Sequence, residues 1–75
     1  MDKDGADIVR LDEQDTGILN KKGWSLVTYF QSRQGGHGST AYNKALEKAL
    51  TIKREVGLRS YVKDGYTYWE IWEHY

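Results

Sequence analysis

Gly35-Gly36-His37-Gly38-Ser39-Thr40 is the stretch of this chain where residue types and spacing come nearest to catalysis. His37 is the one candidate general base, and Ser39 or Thr40 a conceivable nucleophile beside it. If a strand precedes this run and a helix follows it, Gly36, His37, Gly38 and Ser39 present backbone amides at a helix N-terminus. That arrangement favours an anion such as phosphate. An anion-binding or phosphate-binding enzyme is one reading of the loop. It is not a Walker A loop, because the spacing differs and no Lys follows. Nor is it a dinucleotide fingerprint, since the chain is too short for the βαβ units that motif needs. Catalysis also requires a group to orient the base and a pocket to exclude water, and the sequence specifies neither. The plainer role is a strand-to-helix connector, and we expect no enzyme.

Metal and cofactor chemistry is equally unprovided for. With no cysteine and only two histidines, His37 and His74, no zinc spacing exists. His74 is expected to face solvent. The run from Asp2 to Asp7 resembles a fragment of a calcium loop but lacks its ligand order and terminal Glu. We expect no metal and no cofactor.

The strongest signal lies in residues 61–75, which hold Tyr61, Tyr66, Tyr68, Trp69, Trp72 and Tyr75. Asp64-Gly65 suits a two-residue type I′ turn, whose central residues need φ > 0. That turn fixes the register from Lys63/Tyr66 through Tyr61/Tyr68 and Arg59/Glu70 to Leu58/Ile71. Alternation then assigns Leu58, Ser60, Val62, Thr67, Trp69 and Ile71 to one face. Arg59, Tyr61, Lys63, Tyr66, Tyr68, Glu70 and Trp72 take the other. If Trp24, Leu26 and Phe30 point inward, Val27 and Tyr29 join this second face.

Upstream, Trp24–Phe30 reads as a strand, and Ile8–Leu11 as a short one. Asp15-Thr-Gly17 signals a turn, after which Ile18 and Leu19 continue a hairpin or pack on the body. Ser39 or Thr40 caps a helix running to about Val56. Its apolar stripe is Tyr42, Ala45, Leu46, Ala49, Leu50 and Val56, widened by Ile52, and Gly57 suits its C-terminal cap. The expected fold is α+β: one helix on a three- or four-stranded antiparallel sheet, ordered (β)-β-α-β-β with a C-terminal hairpin. Residues 1–7 are expected to be a disordered acidic arm, and 8–75 a single domain.

Seventy-five residues with no disulfide make a marginal core. No apolar run approaches the ~18–20 residues that span a bilayer, and the acidic start is unlike a secretory signal. A cytoplasmic protein with no membrane partner is the expectation. Net charge is zero, yet residues 1–19 carry six acids against two bases and residues 20–75 nine bases against five acids.

One helix covers one side of a sheet, which would leave the second face aromatic and open. Tyr and Trp offer large contact area with few rotors to freeze. The expected function is therefore a small protein-binding module of adaptor, regulator or inhibitor type, or a homodimer. Tyr29, Arg59, Tyr61, Lys63, Tyr66, Tyr68 and Trp72 form its surface. The alternative is single-stranded nucleic acid stacked on the same rings, with Lys21, Lys22, Arg33, Arg59 and Lys63 neutralising phosphate. Glu70, Glu73, the zero net charge and the acidic arm weigh against nucleic acid. Two structural roles are equally open: the same tyrosines stabilise the sheet as cross-strand pairs, or Ile8, Val9, Leu11, Ile18 and Leu19 fold over that face.

Overall fold

Asp64 and Gly65 adopt φ 53° and 81°, so the turn demanded by that dipeptide forms. The computed structural model describes residues 2–3, 6–33 and 38–75, with side chains described from 8 to 33 and from 40 onward. In chain order the elements are β1 (Asp2–Lys3), β2 (Ala6–Arg10), α1 (Thr16–Lys21), β3 (Trp24–Arg33), α2 (Gly38–Ala49), β4 (Val56–Lys63) and β5 (Tyr66–His74). The sheet order is β1-β2-β4-β5-β3. Four strands form its body, and the two-residue β1 pairs with the start of β2, inside the arm expected to lack structure. The domain is α+β, and the β4–β5 register matches the expected one pair for pair, from Lys63↔Tyr66 to Leu58↔Ile71.

The sheet is mixed rather than wholly antiparallel. Ile8, Val9 and Arg10 run parallel to Val56, Gly57 and Leu58. Between them the chain crosses the far edge as β3 and returns through α2, so it enters β4 from the end where β2 began. A parallel pair needs a long crossover of this kind.

The helix is shorter than its apolar stripe suggested. It ends at Ala49, where the Thr51 hydroxyl donates to the Lys48 carbonyl at 2.7 Å. Ala41, Ala45 and Ala49 are fully buried against the sheet, while Tyr42 and Leu50 lie at the margin of the stripe and stay exposed. The small alanines let α2 lie close over β3 and β5, where Val56, Leu58 and Ile71 complete the main core with Val27, Phe30 and Trp69 around it.

Val56 and Gly57 belong to β4, so Gly57 is no helix cap and its φ is not positive. Its smallness serves another contact: a Cβ there would lie 2.6 Å from Cγ and Cδ1 of Leu11. A strand glycine marking close approach is the general pattern.

Candidate interaction surface

The second face of the sheet divides into two halves. At the end near Trp24 and His74 it is covered by residues 11–23. Asp15 caps α1 by accepting from Gly17 N at 2.8 Å and Ile18 N at 3.4 Å. The resulting single turn delivers Leu19 onto Trp24 and Trp72, with Val9 and Leu11 alongside. A second apolar core therefore forms on this half, as in the alternative in which Val9, Leu11 and Leu19 fold over the sheet. Six residues are too few to display helical periodicity, and the helix begins where Asp15-Thr-Gly17 reads as a turn.

Inside this half lies a buried ion pair. Nε and Nη2 of Arg59 both donate to Oε1 of Glu70 at 2.5 Å, and Trp72 Nε1 donates to the same oxygen at 3.0 Å. Nη1 of Arg59 donates to the carbonyls of Gln14 at 3.1 Å and Glu13 at 3.4 Å. The guanidinium thus ties the covering segment to the sheet while its charge is neutralised. The segment carrying Glu13 and Gln14 is held to the body through these backbone carbonyls.

Two of the expected contact residues are consequently withdrawn from the surface. Arg59 is 6% exposed and Trp72 1%, because residues 11–23 lie on them. His74 is half-buried rather than facing solvent. Its Nε2 donates to the Lys22 carbonyl at 2.8 Å, and its ring meets Trp24 edge-on at 4.8 Å.

At the hairpin-turn end the same face is open. A β-bulge between Leu26 and Thr28 shifts the parity of β3. Register then places Trp24, Leu26, Tyr29, Gln31 and Arg33 on the second face, and Val27 and Phe30 on the helix side. The expectation that Trp24, Leu26 and Phe30 share a face fails for this reason, although Tyr29 lands where expected. Tyr61 stacks on Tyr68 with centroids 5.0 Å apart and planes 12° apart, and Tyr29 lies 5.9 Å from the other side of Tyr68. The three rings form a row across β4, β5 and β3. Tyr29 is 54% exposed and Tyr66 38%. Lys63, Gln31 and Arg33 are exposed at this end. Gln31 was not singled out from sequence, because no local signal announces the bulge that sets its side.

Burial and the Glu70 carboxylate hold the Tyr61 hydroxyl above its ordinary value of 10.0, against the opposing pull of Arg59. Glu73 pairs with Val56 and Ser25 in register and so points to the helix side. Thus neither acid expected on the platform occupies its open half.

The glycine loop is only partly in view. Gly36 and His37 lie outside the described residues, and Gly38 and Ser39 open α2. No group of three or more His, Cys, Asp or Glu among the described residues is placed to hold a metal. No described helix is long and apolar enough to cross a membrane. On the helix side a shallow cleft of about 170 Å³ opens between α2 and β2, with Arg10 lying 5.9 Å over the Trp69 ring at its margin. No protein-family model, curated protein or solved structure matches the chain.

Proposed function

We propose that this chain is a small non-catalytic protein-binding module of adaptor, regulator or inhibitor type, and that it works through the open half of its second sheet face. The observation that carries this reading is the tyrosine row Tyr29–Tyr68–Tyr61 with Tyr66 beside it, exposed on a strand surface that bears Lys63 and Arg33. Among the described residues of β3, β4 and β5 on this half, none is acidic. Such rings dominate interface hot spots, and rim cations steer partners of opposite charge. The complementary partner is a protein patch with apolar anchors flanked by carboxylates.

Single-stranded nucleic acid is the second reading. It is favoured by the removal of Glu70 into an ion pair and of Glu73 to the other side. Ring geometry argues the other way. The stacked Tyr61 ring takes one face of Tyr68 and Tyr29 lies tilted by 49° beside it, so Tyr68 offers a base less stacking area than an isolated ring would.

The test is capture from native-host lysate, with and without nuclease, by the wild type and by Tyr29→Ser/Tyr66→Ser. A discrete protein that survives nuclease and is lost with the variant supports the module. Capture that vanishes with nuclease, and weakens steeply with salt, supports nucleic acid instead.

A further inference from the structure

We infer that the cleft between α2 and β2 is a binding site for a small aromatic monocarboxylate, its ring against Trp69 and its carboxylate on Arg10. The site lies on the helix side of the sheet, opposite the tyrosine row, and does not depend on the function proposed for that row. It exists because one helix is narrower than the sheet. α2 packs on β3 and β5, so it flanks β4 and β2 rather than covering them. Val62, further along β4 on the same side as Leu58, is 56% exposed for this reason. Ile8 on β2, Leu58 on β4, Trp69 on β5, and Tyr42 and Leu46 on α2 enclose about 170 Å³ of open space. Arg10 is the last residue of β2 and stands at the mouth.

Size, lining and charge select the ligand class. An apolar cavity of about 150 Å³ holds one benzene ring, so this space suits one ring and not a larger body. The Trp69 and Tyr42 rings lie 4.8 Å apart and are tilted by 57°, so an entering flat ring meets aromatic surface on two sides. Arg10 is the one charged residue among the described residues that line the cleft. Its planar fork matches a carboxylate. Asp12 lies 3.7 Å from its Nε, in a pair whose side chains are 70% and 91% exposed. Such an exposed pair is weak enough for a ligand carboxylate to displace. One guanidinium with an acid beside it balances a single negative charge, which favours a monocarboxylate over a phosphate. The guanidinium is 5.9 Å from the Trp69 ring, so the ligand's carboxylate must be joined to its ring by a short link.

The experiment is an NMR titration of the full chain with phenylacetate, its neutral counterpart phenylacetamide, its cationic counterpart phenethylamine, and inorganic phosphate. Wild type, Arg10→Gln and Tyr29→Ser/Tyr66→Ser are compared. Phenylacetate should give saturable shifts at the amides of Ile8, Arg10 and Leu46 and at the Trp69 indole N–H. It should bind about tenfold or more tighter than phenylacetamide, because only the acid makes a charge-assisted pair. Phenethylamine and phosphate should leave those signals unmoved. Arg10→Gln should bring phenylacetate down to the affinity of the amide, and the fold should survive because the side chain is exposed. The tyrosine variant should bind phenylacetate as wild type does. Absence of saturable shifts up to about 10 mM phenylacetate overturns the inference. So does equal binding of acid and amide, indifference to Arg10→Gln, or a matching response to phosphate. None of these results bears on capture through Tyr29 and Tyr66, which Arg10→Gln leaves in place.

Discussion

The two halves of the second sheet face come from the same three strands and similar residue types, yet one is a core and the other a surface. At the Trp24 end, Trp72 and Arg59 lie under residues 11–23 and the buried Arg59 and Glu70 charges are paired with each other. At the turn end, Tyr61, Tyr68 and Tyr29 form a row of neighbouring rings, with Lys63 and Arg33 in solvent. Aromatic content does not separate them. What separates them is where the chain between β2 and β3 crosses the sheet, so stability and binding are expected to divide along that line.

The largest effect that could break the comparison is at Glu70. Glu70→Ala leaves the Arg59 guanidinium buried without its carboxylate and should destabilise the fold by about 3–5 kcal/mol, read by urea unfolding. A loss under 1 kcal/mol, roughly the worth of a surface pair, would mean that water reaches this half and that its cover is not fixed.

Next in size is Gly57→Ala. The added methyl overlaps Leu11, so a loss of about 1–3 kcal/mol is expected. Leu11→Ala in the same chain should recover part of it, giving a coupling of opposite sign to the single losses. Additive effects would show that Leu11 does not sit over Gly57.

Asp15→Ala removes the cap of α1, whose one buried residue, Leu19, is the lid over Trp72. About 1 kcal/mol is expected, with Trp fluorescence shifted because the covering segment loosens over Trp24 and Trp72.

The smallest effect separates the halves by pH. Tyr61 sits at their boundary, 5.8 Å from the Arg59 guanidinium, and its hydroxyl ionises above the ordinary value of 10.0. A raised folded-state value means that the neutral form is favoured by folding. That contribution is complete below pH 10.0 and is lost as pH rises through the folded-state value. Phenolate absorbance should show a tyrosine step displaced above pH 10.0. Tyr61→Phe should remove that late step and flatten the alkaline fall in stability.

The hairpin was legible because its determinants are local: Asp64-Gly65 sets the turn, and alternation sets both faces from Leu58 to Ile71. The strand at Trp24 and the helix over Ala45 and Ala49 were legible from residue type and periodicity. The remaining features depend on distant residues. Gly57 follows a helical stripe and looks like a cap, but the requirement for it comes from Leu11, 46 positions earlier. The bulge at Leu26/Thr28 turns Trp24 toward Leu19 and Gln31 toward solvent, and nothing in Trp24–Arg33 itself announces it. Arg59 opposite Glu70 was readable as a cross-strand pair. Its burial depended on whether Val9, Leu11 and Leu19 fold over this face, which the sequence left as an alternative, and on the Glu13 and Gln14 carbonyls that come with them. The candidate surface therefore kept Tyr29, Tyr61, Lys63, Tyr66 and Tyr68 and lost Arg59 and Trp72.

The most direct measurement sets stability beside capture for Tyr29→Ser/Tyr66→Ser, with Glu70→Ala as the counterpart from the covered half. The tyrosine variant should unfold within about 1 kcal/mol of wild type, as exposed substitutions generally do, while losing the partner. If that variant instead unfolds as readily as Glu70→Ala, or keeps the partner while folded, the open half is scaffold rather than contact surface and the proposed function is wrong.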